Sequence, residues 1–134
     1  LPPEEGRPLI KSADRAGLDM ILFLAPTSTG ARVKFITSIA KGFIYYVSLT
    51  GTTGIRKKLS ADIIKNVKMI KKNTLKPVCV GFGISHPGHV RKISHFSDGV
   101  IVGSAIVKKI KENIGKKDLV RRVVQFTEWL KSGQ

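Results

Sequence analysis

The chain has 134 residues, 42% of them hydrophobic, with 24 Lys and Arg against 9 Asp and Glu and a formal net charge of +15. That length fits one domain (1–134) or part of one. It offers no run near the roughly 18 apolar residues of a membrane helix, and its one cysteine, Cys79, excludes a disulfide within the chain. No secretory signal pattern is visible, so cytoplasm is the expected location. The first residue is Leu1 and not Met, so the chain is expected to be processed, cut or part of something longer. The charge invites a nucleic-acid reading. The lysines, however, fall within helical stretches such as Lys65 to Lys72 and Lys108 to Lys111, alternating with apolar positions. That is the pattern of a solvated outer face. Basic groups near a site would still concentrate an anionic substrate.

A first helix precedes a predicted strand at Met20 to Ala25. Val33, Ile36, Ile39 and Ala40 mark the next helix, and Gly42 to Ser48 the second strand. Ile63, Ile64, Val67 and Ile70 mark a helix that Ser60 is expected to cap, with Asp62 in its first turn. The third strand is Pro77 to Phe82, followed by a helix that begins near Pro87, after Ser85. The fourth strand is Asp98 to Gly103, with a helix from Ser104 to about Asn113. A last amphipathic helix carries Leu119, Val123, Phe126 and Leu130, with Val120 and Val124 beside them.

All four strands are nearly continuous apolar runs, as strands buried on both faces of a parallel sheet are. Strict βα alternation predicts an α/β fold with right-handed crossovers. Four such units are half of a (β/α)8 TIM barrel, which typically needs about 250 residues. A free half barrel leaves two open sheet edges and a bare apolar face. Another polypeptide completes it, a second copy closes it, or the sheet is a smaller open one.

Two glycine turns carry the chemistry: Gly81-Phe82-Gly83-Ile84-Ser85 and Gly103-Ser104-Ala105-Ile106-Val107. Each follows a β-branched run and opens a helix. Glycine lets backbone N–H groups approach a ligand, and a helix start offers unpaired donors and the positive end of a dipole. Two such turns on neighbouring strands make a phosphate clamp, and barrels often build one after their last two strands. Cys79, among valines, reads as a small apolar residue and not as a nucleophile. His86 and His89 are half of a zinc site with no Cys or carboxylate cluster to finish it, so no metal is expected. Trp129 reads as packing.

These segments, taken in order, resemble the tryptophan synthase alpha subunit. Leu1-Pro2-Pro3-Glu4-Glu5 resembles its segment just past the fourth strand, and Leu22-Phe23-Leu24-Ala25-Pro26-Thr27-Ser28-Thr29 its fifth strand and turn. Gly42-Phe43-Ile44-Tyr45-Tyr46-Val47-Ser48, with Leu49-Thr50-Gly51-Thr52-Thr53-Gly54, resembles the sixth strand and its mobile loop. The two glycine turns resemble those of the seventh and eighth strands.

The resemblance implies the carboxy-terminal half of a lyase of tryptophan biosynthesis. That lyase cleaves indole-3-glycerol phosphate to indole and glyceraldehyde 3-phosphate. It implies no cofactor in this subunit, because pyridoxal phosphate belongs to the beta partner of an alpha2-beta2 heterotetramer. A plant member would sit in a plastid. The resemblance assigns the phosphate to Gly54, Gly83, Gly103 and Ser104. Gly51 to Gly54 would be the tip of a closing loop that excludes water. Thr53 would hold a catalytic carboxylate, and Tyr45 would organise the glycerol part. Alternation sends Tyr45 and Tyr46 to opposite faces, and the family pattern favours Tyr45. Phe82 and Leu24 would wall the indole ring. The family's two acid–base carboxylates and a further aspartate fall before Leu1, so no catalytic residue is expected here. Glu4, Glu5, Asp14 and Asp62 read as surface or first-turn charges, and Asp98 opens a strand at the wrong end. The alternative is a free-standing half-barrel module that pairs with itself around a phosphate, without catalysis.

Overall fold

The computed structural model describes residues 2–48, 56–81 and 83–132, with 56–60 as backbone only. The elements alternate as α1 (Arg7–Arg15), β1 (Leu22–Leu24), α2 (Gly30–Ile39), β2 (Ile44–Val47), α3 (Arg56–Lys71), β3 (Val78–Gly81), α4 (Pro87–Ser94), β4 (Gly99–Ile101), α5 (Ser104–Lys111) and α6 (Leu119–Lys131). The strands form one four-stranded sheet in the order β1-β2-β3-β4. Every neighbouring pair is parallel, and Phe23, Tyr45, Cys79 and Gly99 stand in one row across it.

The two faces of the sheet differ. Leu22, Leu24, Ile44, Tyr46, Val78 and Val80 point to the helix side and are buried. They pack with Val33 and Ile36 of α2 and Val67 and Ile70 of α3 in one core cluster. Each such side chain, fully buried, contributes roughly 1.5–3 kcal/mol. Phe23, Tyr45 and Cys79 alternate to the other face, where Phe23 is 60% exposed and Tyr45 and Cys79 are half-buried. The chain is thus an α/β half barrel, with helices on the outside and the face that a whole barrel encloses left bare.

Tyr46 is 1% exposed, and its hydroxyl accepts a 2.9 Å hydrogen bond from the Asn66 side chain of α3. Burial pushes its pKa up. At the amino-terminal end of the strands, Asp98 ties β3 to α3. One carboxylate oxygen accepts the Val78 N–H at 2.9 Å and the other the Lys71 ammonium at 2.6 Å. The Lys71 hydrogen bond, and then the one from Val78, hold its carboxyl below the usual range.

One expectation fails. The third helix starts at Arg56, so Ser60 lies inside it and does not cap it. Arg56, Lys57, Lys58 and Leu59 are good helix formers, and they carry the helix back toward the preceding loop.

Candidate functional site

The site is built at the carboxy-terminal ends of the strands. Gly81 of β3 pairs with Ile101 of β4. The two glycines that open the following turns, Gly83 and Gly103, each stand two residues beyond that pair. Neighbouring strands lie about 4.8 Å apart, so the turns are side by side at one end of the sheet. Gly83 has φ +68°, a left-handed backbone that a side chain would strain. Ile84, next to it, is 5% exposed and anchors the turn into the core.

Gly103 occupies the N-cap position of α5 and, having no side chain, caps nothing. A Cβ placed there would meet no atom within 4 Å. The N–H groups that open a helix have no partner within it. Those of the exposed Gly103–Ser104 step are therefore available to an anion, together with the Ser104 hydroxyl.

Tyr45 reaches toward the same end. A Cβ on Gly81 would fall 2.6 Å from the Tyr45 Oη and 2.8 Å from its Cε2, so the phenol lies directly over Gly81. Phe23 supports the ring edge-on, with centroids 5.1 Å apart at 76°. In the row of Tyr45 itself, two residues before Gly81, a Cβ on Gly99 would fall 2.7 Å from the Cys79 sulfur. Burial pushes the Cys79 thiol pKa up, which leaves it a poor nucleophile. Ser48, 2% exposed, closes the β2 end, its N–H donating to the Gly81 carbonyl at 3.0 Å.

Tyr45, Gly83, Gly103 and Ser104 therefore gather at one end of the sheet. Leu24 does not join them. It is 1% exposed on the helix-covered face, because alternation along β1 presents Phe23, not Leu24, to the open side. Thr53, Gly54 and Phe82 lie outside the described residues. Gly81, although part of the first glycine turn, and Phe23 were given no site role of their own from the sequence. The available signal was a second glycine two residues before Gly83 on a strand beside a tyrosine.

His86 is the N-cap of α4, its Nδ1 accepting the Gly88 N–H at 3.1 Å. Its ring stands edge-on to Trp129 of α6, centroids 5.2 Å apart at 86°. The His86 and His89 ring centroids are 6.2 Å apart. Among the described residues no group of three or more His, Cys, Asp or Glu is placed to hold a metal ion. Among the described residues, too, no helix is long and apolar enough to cross a membrane. Lys65, Lys68, Lys71, Lys72, Lys108 and Lys111 are exposed.

A parallel sheet with helices on one face only, and paired glycine turns beyond its last two strands, defines half of a (β/α)8 barrel with its working end at the strand carboxy-termini. The family profile described as "Tryptophan synthase alpha chain" matches residues 1–133. The tryptophan synthase alpha chain of Geotalea uraniireducens is 44% identical over 133 residues, covering 99% of this chain and 49% of the relative. That of Dehalococcoides mccartyi is 46% identical over 110 residues, covering 82% of this chain and 43% of the relative. The solved tryptophan synthase subunit alpha of Legionella pneumophila superposes with a TM-score of 0.81 at 32% identity, covering 99% of this chain and 48% of that one. The chain belongs to the tryptophan synthase alpha chain family. It spans about half the length of the curated relatives it matches.

Proposed function

We propose that the chain is the second half of an alpha-subunit barrel and holds the phosphate of indole-3-glycerol phosphate. The complete enzyme cleaves that substrate to indole and glyceraldehyde 3-phosphate, as a lyase of tryptophan biosynthesis. The observation that carries the reading is the pairing of Gly81 with Ile101, which sets the Gly83 and Gly103 turns beside each other. The Tyr45 phenol over Gly81 supplies a hydroxyl next to them for the glycerol oxygens.

The carbon–carbon cleavage needs a general acid for the indole carbon and a base for the side-chain hydroxyl. On this reading both carboxylates come from the first half of the barrel, facing the bare side of Phe23 and Tyr45. Asp98 is unsuited to either role, being engaged by Lys71 and Val78 at the other end of the sheet. Thr53 and Gly54 would belong to the loop that closes over the bound substrate, and Phe82 to the wall of the indole pocket. This subunit uses no cofactor. The partner is a beta subunit, bearing pyridoxal phosphate, that consumes the indole, in a cytoplasmic alpha2-beta2 complex.

The test is Ser104→Ala in the complete alpha chain. It should raise KM for indole-3-glycerol phosphate more than it lowers kcat. Unchanged affinity for substrate and for glycerol 3-phosphate would contradict the reading.

A second reading, a half barrel that pairs with its own copy around a phosphate, draws on the bare sheet face, where Phe23 is 60% exposed. The net charge of +15 per chain opposes it. Sedimentation of the chain alone decides: a stable folded homodimer favours self-pairing.

A further inference from the structure

The helix starts beside the two glycine turns are built differently. In α5 the cap position is Gly103, with no side chain to take up the first donors. In α4 those donors are consumed within the protein. Pro87 has no N–H. The Gly88 N–H goes to His86 Nδ1 at 3.1 Å. The N–H groups of His89 and Val90 go to the His86 carbonyl at 2.9 and 3.3 Å, as those of Ile106 and Val107 go to the Gly103 carbonyl at 3.0 and 3.1 Å, so the two starts differ at their first two positions, Pro87 and Gly88 against Ser104 and Ala105. The α4 terminus is closed by one residue, and that residue is held from outside by the Trp129 ring of α6. Trp129 leans in turn on Phe126, centroids 5.6 Å apart, and the Lys109 ammonium of α5 lies 5.7 Å from the Phe126 centroid.

The consequence falls on the segment between Gly83 and His86. Gly83 is left-handed, Ile84 is buried and Ser85 is exposed. A turn of this kind aims its N–H groups reproducibly only if both ends are fixed. Ile84 fixes one end in the core, and His86 fixes the other to α4. We propose that His86 is a positioning residue for the anion-binding turn, closing α4 and holding the Gly83–Ser85 backbone in register with the open start of α5, while Trp129 keeps its ring in the capping orientation. The bound phosphate then draws on Gly83 and on the α5 start, and α4 contributes geometry but no donor. This rests on the phosphate reading given above.

The experiment uses the complete alpha chain and two probes, glycerol 3-phosphate and indole, with steady-state kinetics beside them. His86→Ala should weaken glycerol 3-phosphate binding and raise KM by up to about fivefold, the factor reached when the whole ~1 kcal/mol of helix stability that a lost N-cap costs is felt at the turn, with kcat within about twofold. Indole affinity should not move. His86→Asn, which keeps a short acceptor at the cap, should restore both values, and a residue of merely structural weight would show no such phosphate-specific rescue. Trp129→Leu, which leaves the cap residue in place, should weaken glycerol 3-phosphate roughly twofold. Parent-like glycerol 3-phosphate affinity in His86→Ala overturns the positioning role and leaves the phosphate site standing. Should His86→Ala not fold, unchanged affinity in Trp129→Leu overturns it equally. If the parent does not bind glycerol 3-phosphate, or binds it with Gly83, Gly103 and Ser104 unaffected, the phosphate reading and the positioning role fall together.

Discussion

Gly81→Ala isolates the close approach on which the site depends. The added methyl would meet Tyr45 Oη at 2.6 Å, Tyr45 Cε2 at 2.8 Å and Ile101 Cβ at 3.0 Å. The first two atoms belong to a rigid ring braced by Phe23, and the third sits next to the backbone of the adjacent strand. None retreats freely. Overpacking by one methyl costs about 1–3 kcal/mol, and replacing glycine within a strand returns about 0.5–1 kcal/mol. The expected net loss is about 1–2 kcal/mol. Urea unfolding of the complete alpha chain should show a lower midpoint at unchanged slope. The phenol would also be pushed from its place beside the turns, so KM should rise with the loss of stability. The cross-check is Tyr45→Ala with Gly81→Ala. With the ring gone, the alanine should cost little, giving a coupling of about 1 kcal/mol or more. A Gly81→Ala protein as stable as its parent, or strict additivity in the double variant, would refute the reasoning.

Gly103→Ala should leave thermal stability within about 0.5 kcal/mol, because its Cβ has open space. KM for the phosphorylated substrate should nevertheless rise, since on the proposed reading that space is where the anion would sit; thermal shift and kinetics on one preparation check both. Tyr46→Phe removes the acceptor of the Asn66 hydrogen bond and should lower stability by about 1 kcal/mol, without moving KM, because Tyr46 faces the helices. Asp98→Asn should cost only about 0.5 kcal/mol at neutral pH, the ion pair being over a third exposed on both sides. The folded carboxyl lies below the ordinary 3.8, so its stabilisation is present above that value and lost as pH falls through the lower folded one. Parent and Asp98→Asn unfolding curves should therefore converge in acid.

Much of the fold was legible because the chain writes its parallel strands as unbroken apolar runs. The observed strands, Leu22–Leu24, Ile44–Val47, Val78–Gly81 and Gly99–Ile101, fall inside those runs. The same continuity hid the faces. When both sides of a strand are apolar, nothing local says that Leu24 belongs under the helices and Phe23 on the open side; the sheet register decides. The start of the third helix was misread because Ser60 is a good cap by type, while the residues before it propagate a helix as well as those after it. At the site, the glycine spacing pointed to Gly83 and Gly103 directly. The need for glycine at 81 did not show, because it arises from a phenol on the neighbouring strand. His86 was weighed with His89 as a metal pair and set aside, and no cap role was read for it, because histidine is not a preferred cap. Its cap geometry and its contact with Trp129, forty-three positions on, exist only in three dimensions.

The central claim is that the two glycine turns together hold a phosphate. The most direct measurement follows the backbone amide resonances of the complete alpha chain as glycerol 3-phosphate is added. The account predicts that the amides of Gly83, Gly103 and Ser104 shift together and saturably, with one dissociation constant, while that of Gly88, already committed to His86, moves least among the residues around them. Binding that leaves Gly83, Gly103 and Ser104 unmoved, or that shifts Gly88 in their place, would contradict it.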